Sequence, residues 1–315
     1  MLERLRSLAI PPAWTDVWIC PDPLGHLQAT GVDAAGRKQY LYHPRWRERR
    51  DREKFEKVVR FGAGLPKLRK QLRRDLEGTE ATRARVLAGA VRLLDIGVFR
   101  IGSEQYADED SGIGLATVRK DHVTVRPDEV EFDYPGKGGL RRRLVIKDSL
   151  TLDLVKLLRR RRSGGDQLLA YRQDGEWVKL RSDEINEYLK ETLGEDFSAK
   201  DFRTWNATVM AAVTLAVDGA DATTKTARKR ATNRAARAVS EVLGNTPAVA
   251  RRAYIDPRVF DRYNSGWTIA SAVGEAAADG PADDRTRERI EDAVVDLLTD
   301  KTDSPAVQRV GADSG

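Results

Sequence analysis

The chain contains few of the residues from which many catalytic and metal sites are built. Among its 315 residues there is one cysteine, Cys20, and there are three histidines, all before residue 123. A single cysteine excludes an internal disulfide, and no cysteine–histidine cluster with zinc spacing can be drawn. No glycine-rich loop ends in Lys followed by Ser or Thr, so ATP use has no support. Any catalysis must therefore use arginine, lysine, tyrosine and carboxylate side chains.

Long apolar runs are also missing. No stretch of about 18 apolar residues occurs, so we expect no membrane span. The N-terminal "MLERLRSLAIPPAW" lacks the apolar core of a signal peptide. Together with the single cysteine, this favours the cytoplasm.

Charge is plentiful and unevenly distributed. From Glu275 onward there are eleven acidic and five basic residues, a net charge of −6, which leaves +12 on residues 1–274 because the whole chain carries +6. A basic body of this kind suggests a polyanionic partner, most often nucleic acid. A solvated arginine-rich surface would give the same balance.

The spacing of apolar and turn residues divides the chain into three parts. Residues 1–50 contain three short β-prone runs separated by "PDPLG" and "DAAGR", which predicts a small antiparallel β-rich domain. Residues 51–276 predict a mainly helical domain with a small antiparallel sheet. Residues 277–315 predict an acidic tail, partly helical or disordered.

Several finer predictions follow from local signals within the second part. Glycine and proline near Gly62–Pro66 predict a break in the first helical stretch, and Gly97 predicts the end of the next helix. The runs "LATV", "HVTVRP", "EVEFDYP" and "LRRRLVI" predict four strands, with "PGKGG" as a tight turn between the last two. The stretch "FRTWNATVMAAVTLAV" predicts a buried central helix.

One tyrosine stands behind two arginines in "LGNTPAVARRAYIDP" (243–257). Thr246 and Pro247 predict a helix start, which places Tyr254 near the end of a short helix. Taken alone, Tyr254 has an ordinary explanation as a packing residue. Arg203, however, begins the apolar helix, where an unpaired buried charge is costly and a phosphate would satisfy it.

Two further cations occupy special positions. Arg100 follows the predicted helix end at Gly97, and Lys137 lies at the glycine-flanked hairpin tip. Each also has a plain structural interpretation. Arg100 could pair with Glu104, Lys137 could face solvent, and Arg203 could pair with Asp201.

Five motifs in order are more specific than any of these residues alone. The sequence contains "GRKQYLYHPRW" (36–46), "FRIGSEQYA" (99–107), "GIGLATVRKDHV" (112–123), "KDFRTWNATVMAA" (200–212) and the tyrosine motif. This order resembles the type IB DNA topoisomerases, most closely the poxvirus-like branch found in bacteria, up to about residue 270. The resemblance implies an α+β fold of the type IB topoisomerase and tyrosine recombinase kind, which closes as a C-shaped clamp on DNA.

The resemblance also implies a role for particular side chains. Tyr254 matches the nucleophile, Lys137 the general acid, and Arg100 and Arg203 the arginines that bind the scissile phosphate. Lys200 matches a supporting lysine. The positions that match DNA contacts are Gln39, Tyr40, Tyr42 and Tyr106.

The sequence departs from the poxvirus pattern at Asn245, where the poxvirus enzymes have histidine. Asparagine cannot transfer a proton, so we expect Asn245 to donate a hydrogen bond to the phosphate. The resemblance further implies relaxation of double-stranded DNA through a 3′-phosphotyrosyl intermediate, without ATP, cofactor or obligatory metal. We expect a monomer associated with the nucleoid.

Two alternatives remain open at this point. Tyrosine recombinases share the same catalytic logic, but their usual motif is His-x-x-Arg, whereas this chain has Lys200-x-x-Arg203. Their N-terminal arm is helical, and here the N-terminus predicts strands. A non-enzymatic DNA-binding protein is the other alternative, although a pure binder has no need of Tyr254, Lys137 and Arg203 in this order.

Overall fold

A computed structural model describes residues 2–102, 112–194, 197–278 and 283–309. The chain divides into two compact units, residues 1–57 and 58–315. The division falls within one long helix, somewhat beyond the boundary predicted near residue 50. In the described part of the chain no helix combines the length and apolar character needed to cross a membrane.

The first unit is built around a three-stranded antiparallel sheet. Helix α1 (Leu2–Ser7) precedes the strands β1 (Thr15–Ile19), β2 (Leu27–Val32) and β3 (Lys38–Tyr42), which pair in sequence order. This is the meander that the turn residues predict. Helix α2 (Pro44–Leu76) begins directly after β3.

Helix α2 continues where the sequence predicts a break. Its apolar face, which includes Phe61, Leu65 and Leu68, is fully buried. An internal proline such as Pro66 costs roughly 3 kcal/mol, and the burial of this face offsets that cost. Gly62 serves packing instead: a Cβ there would lie 2.4 Å from the ring of Trp205. The predicted break was therefore wrong, because tertiary packing outweighed local propensity.

Helices form the core of the second unit. The central helix α6 (Ala199–Asp218) is largely buried, as its sequence predicts, and α3 (Arg83–Gly97) packs against it. The other helices are α4 (Ser149–Arg160), α5 (Ser182–Leu193), α7 (Lys225–Leu243), α8 (Pro247–Ala253), α9 (Pro257–Asn264), α10 (Ala270–Ala278) and α11 (Asp284–Leu298). Helix α11 packs on α6, α9 and α10, so this part of the acidic tail belongs to the second unit.

Small antiparallel sheets complete the second unit. Strands β4 (Val123–Val125), β5 (Val130–Pro135) and β6 (Arg141–Ile146) form one sheet. The pair β7 (Ala170–Gln173) and β8 (Glu176–Lys179) forms a hairpin that the sequence analysis missed, although its Asp-Gly turn is a strong hairpin signal. The two-residue strands β9 (Trp267–Thr268) and β10 (Gln308–Arg309) pair with each other.

One predicted strand is a short helix instead. Residues Leu115–Thr117 of "LATV" form a 3-10 turn, and their backbone bonds run to the neighbouring loop: Leu115 N–H donates to the Arg100 carbonyl at 2.8 Å. The apolar run was read as a strand because short buried runs of either type look alike in sequence.

Candidate active site

Arg203 lies in the first turns of α6 and is 4% exposed. Its guanidinium donates from Nη1 to the Val98 carbonyl at 2.6 Å and from Nη2 to the Leu243 carbonyl at 2.9 Å. Its Nε is buried without a hydrogen-bond partner. Burial, together with the charge of Arg100, lowers the pKa of Arg203 to about 10. An anion bound here would remove this penalty.

The ion pair with Asp201, which would be the simpler explanation of Arg203, is not found in the described residues of this structure. Asp201 accepts hydrogen bonds from the backbone and hydroxyl of Ser198 and so completes the N-terminal cap of α6. In the described ranges no carboxylate forms an ion pair with Arg203. Its charge is thus held by carbonyls and by Tyr254 alone.

Tyr254 caps the C-terminus of α8 beside this guanidinium. The helix begins as predicted, with the Thr246 hydroxyl accepting from Val249 N–H. The Thr208 hydroxyl on α6 donates to the Tyr254 carbonyl at 3.3 Å and thereby ties the tyrosine to the helix that carries Arg203. The Arg203 Cζ lies 5.5 Å from the centre of the Tyr254 ring.

The surrounding cations favour the phenolate form of Tyr254. Burial alone would raise its pKa, but the charges of Arg203 and Arg100 outweigh burial, and the pKa is lowered. The charge of Lys200, which is itself exposed, acts in the same direction. A tyrosine with a lowered pKa is a better nucleophile at neutral pH.

Arg100 is positioned by an unusual chain reversal after α3. Helix α3 ends at Gly97, as predicted, and the left-handed residue that follows is Val98, with φ 53°. Gly97 leaves room for packing, since a Cβ there would lie 2.3 Å from the Phe99 ring. A β-branched residue with positive φ is strained, so the surrounding contacts must hold it. One such contact is the bond from Arg203 to the Val98 carbonyl.

Lys137 lies at the tip of the β5–β6 hairpin, as predicted. Residues Lys137–Gly139 form the turn, with positive φ at Gly138 and Gly139. Ile113 N–H donates to the Pro135 carbonyl at 3.0 Å and anchors the hairpin next to its turn. Lys137 is exposed, and together with Arg100 and Arg203 it lines one narrow pocket.

Asn245 lies in the turn between α7 and α8, directly after Gly244, which lines the same pocket. Both polar atoms of its side chain, Nδ2 and Oδ1, are buried without a hydrogen-bond partner. Native proteins rarely leave such groups unpaired, since each costs about 1–3 kcal/mol. The unpaired amide makes Asn245 a candidate ligand-binding side chain.

The predicted DNA contacts in the first unit differ in their surroundings. Tyr40 is exposed and stacks on Tyr42 at 6.2 Å, and Tyr42 stacks on Trp46 at 4.2 Å. Gln39 lies on the opposite face of β3, and its amide donates to Asp33 at 2.8 Å. The fourth predicted contact, Tyr106, lies outside the described residues.

Sequence reasoning missed three residues that shape the site. Thr208 ties Tyr254 to α6, Val98 bonds Arg203, and Arg142 lines the pocket beside Lys137. No local signal marked Thr208 or Val98, because their roles depend on contacts across the fold. Arg142 lies in the run "LRRRL", where its neighbours are also arginines, so the sequence does not distinguish it from them.

Comparison with known proteins identifies the family. Residues 43–272 match the model described as eukaryotic DNA topoisomerase I, catalytic core, and residues 1–33 match bacterial DNA topoisomerase IB, N-terminal domain. DNA topoisomerase 1B of Acanthamoeba polyphaga mimivirus is 31% identical over 272 residues, which is 84% of this chain and 80% of that protein. The chain belongs to the type IB DNA topoisomerase family.

Other relatives agree with this membership in the type IB family and confirm the predicted resemblance. DNA topoisomerase 1B of vaccinia virus (strain Copenhagen) is 22% identical over 263 residues, 82% of this chain and 81% of that protein. DNA topoisomerase 1 of Schizosaccharomyces pombe is 31% identical over 161 residues, 50% of this chain and 18% of that protein. The predicted α+β class, with a small β-rich unit and a mainly helical unit, is that of a type IB enzyme.

Among solved structures, a post-cleavage complex of the XerH site-specific recombinase is similar at 18% identity. The match covers 62% of this chain and 50% of that chain with a TM-score of 0.36. A similarity of that size adds nothing to the assignment to the type IB topoisomerases.

Proposed function

We propose that this chain relaxes supercoiled double-stranded DNA by transient cleavage of one strand. Tyr254 attacks the scissile phosphorus, the P–O5′ bond breaks, and a 3′-phosphotyrosyl bond forms. The freed 5′-hydroxyl later attacks this bond and restores the phosphodiester. Because the covalent bond conserves the energy of the broken one, the cycle needs no ATP.

The observation that carries the proposal is the buried Arg203 beside Tyr254. This guanidinium lacks a carboxylate partner in the described ranges, lies 5.5 Å from the centre of the Tyr254 ring, and lines a pocket with Arg100 and Lys137. Guanidinium groups suit phosphate because they keep their charge and bind two oxygens at once. The pocket is thus suited to the charge of a pentavalent phosphoryl transition state.

The remaining side chains complete the proposed reaction. Asn245 donates its unpaired amide to a non-bridging oxygen, and Lys200 supports the negative charge near Tyr254. Lys137 protonates the leaving 5′-oxygen. Tyr40 and Tyr42 contact the duplex, and Gln39 and Tyr106 are the further proposed DNA contacts.

The direct test is relaxation of a negatively supercoiled plasmid in buffer with EDTA and without ATP. Denaturant added during the reaction traps the covalent adduct, and peptide mapping should place the DNA on Tyr254. The plasmid carries no added recombination site, so a tyrosine recombinase would leave it supercoiled. A protein that binds the plasmid without relaxing it would overturn the proposal.

Lys137→Ala is expected to slow cleavage of ordinary DNA about 10²-fold, the lower range for loss of a general acid. A substrate with sulfur in place of the bridging 5′-oxygen should restore the rate. A thiol has a pKa of about 8.5, so the thiolate can leave without being protonated by an acid. Single-turnover cleavage of the two substrates at one mapped site measures this. A loss that sulfur does not repair would remove Lys137 from the acid role.

Asn245→Ala is expected to lower the cleavage rate without lowering the stability of the protein. Loss of one phosphate donor should slow cleavage about 10²-fold. The unfolding midpoint should stay close to that of the native chain, because the amide has no partner to lose in the free protein. Single-turnover cleavage and thermal unfolding of the same preparation provide both measurements. A large loss of stability with normal cleavage would contradict the assignment.

The assembly and the cellular site are part of the same proposal. The active form is proposed to be a monomer. A chromosomal DNA substrate would place the protein at the nucleoid. Light scattering of the protein on a short duplex tests the first point, since a dimer on one cleavage site would contradict it.

A further inference from the structure

Strand β6 carries three consecutive arginines with different surroundings. The Arg141 guanidinium donates to Asp133 at 2.6 Å, and Arg143 bonds Glu131, so both pair with carboxylates on β5. Arg142 projects from the other face of the strand, opposite Tyr134 in the register. In the described part of the chain no carboxylate pairs with Arg142.

Arg142 instead reaches from the hairpin to the turn that follows α7. Its Nη2 donates to the Val242 carbonyl at 2.6 Å. Two glycines leave space for its side chain: a Cβ on Gly136 would lie 2.7 Å from the Arg142 Cγ, and a Cβ on Gly244 would lie 2.8 Å from Nη1. The Arg142 side chain therefore packs against both Gly136, directly before Lys137, and Gly244, directly before Asn245.

These contacts connect the segments that carry Lys137 and Asn245. In the proposed reaction both of these side chains act on the same phosphate. The hairpin turn has positive φ at two successive glycines and exposes Lys137, so little within the turn itself fixes the ammonium group. Next to the turn, the hairpin is also bonded through the Pro135 carbonyl, which accepts from Ile113 N–H. The bond from Arg142 to Val242 is a contact of the β5–β6 hairpin with the segment that leads to Asn245.

We propose that Arg142 is a positioning residue, which docks the Lys137 hairpin onto the turn between α7 and α8 so that the lysine reaches the leaving 5′-oxygen. The inference rests on the proposed function and on the acid role of Lys137. Arg142 acts on the reaction through Lys137. Its loss should consequently impair proton delivery and leave the attack by Tyr254 intact.

The test compares an ordinary phosphodiester with a 5′-bridging phosphorothiolate at the same mapped site. Arg142→Met removes the donor but keeps a long side chain beneath Gly136. It should slow single-turnover cleavage of the ordinary substrate about 10- to 100-fold, as misplacement of a catalytic group does. Cleavage of the phosphorothiolate should fall by less than about threefold, because that leaving group needs no proton. The ratio of the two rates is independent of the fraction of folded protein.

Arg141→Ala is the matched control, since it removes one charge from the same strand and only an exposed ion pair. It should change neither rate by more than about twofold. The double variant Lys137→Ala/Arg142→Met should cleave the ordinary substrate no more slowly than Lys137→Ala alone. Equal losses on both substrates, or additive losses in the double variant, would overturn the positioning role.

The possible failures are distinguishable from one another. An unmodified chain that forms no adduct at Tyr254 overturns the proposed function itself. An active chain whose Lys137→Ala variant is not rescued by sulfur overturns the acid role and this inference together. An active chain with rescued Lys137→Ala but unaffected Arg142→Met overturns this inference alone.

Discussion

Tyr254→Phe abolishes plasmid relaxation and adduct formation, with a loss of at least about 10⁴-fold, as expected when the nucleophile of a covalent mechanism is removed. The phenyl ring keeps the packing of the tyrosine, and the backbone bond from the Thr208 hydroxyl does not depend on the phenol. Arg203 keeps its two carbonyl partners. DNA binding in a filter or gel assay should therefore survive.

Tyr263→Phe is the matched control for this variant. Tyr263 is also buried in the second unit, on α9, and its hydroxyl donates to the Gly219 carbonyl at 2.8 Å. Its loss should cost about 1 kcal/mol of unfolding free energy and leave relaxation intact. Relaxation by Tyr254→Phe at the native rate, or an adduct mapped to another tyrosine, would contradict the assignment of the nucleophile.

The sequence predicts the side chains of the candidate site but not the contacts that support them. The resemblance to the type IB topoisomerases singles out Tyr254, Arg100, Lys137 and Arg203, because the motifs that carry them keep a fixed order along the chain. The structure brings Arg100, Lys137 and Arg203 to one pocket and Tyr254 to the Arg203 guanidinium. Thr208 and Arg142 act through partners that lie 46 and 100 residues away, and no local pattern records such contacts.

The error in the predicted fold at Gly62–Pro66 has the same origin. A local rule predicts a break there, yet Gly62 makes room for the ring of Trp205 on α6. Glycine thus serves close approach rather than chain flexibility at this position. The buried face of α2 decides the outcome, and its burial depends on a helix that comes later in the sequence.

The buried carboxylate of Asp95 leads to the largest expected change in stability. It lies in the last turns of α3, has no exposed side-chain surface, and accepts from Arg69 at 2.9 Å and from Arg287 at 2.9 Å. Burial opposes its ionisation, but the charges of Arg287, Arg69 and Arg92 prevail and lower its pKa. Asp95→Ala should cost about 3–5 kcal/mol of unfolding free energy, because it leaves buried guanidinium groups without their shared counter-charge.

Urea unfolding followed by circular dichroism measures this loss as a lower midpoint at an unchanged slope. Since the folded pKa is lowered, the contribution of Asp95 is present above the ordinary aspartate value of 3.8 and is lost as the pH falls towards the folded value. The difference in unfolding free energy between the native chain and Asp95→Ala should therefore become smaller as the pH falls below 3.8.

Asp292→Ala on α11 is a control of opposite sign, since burial and the nearby Asp296 and Glu291 raise the pKa of Asp292. Its removal should be neutral or slightly stabilising. A variant that unfolds at the native midpoint would show that Glu291, Asp148 and Asp284 suffice for the buried arginines.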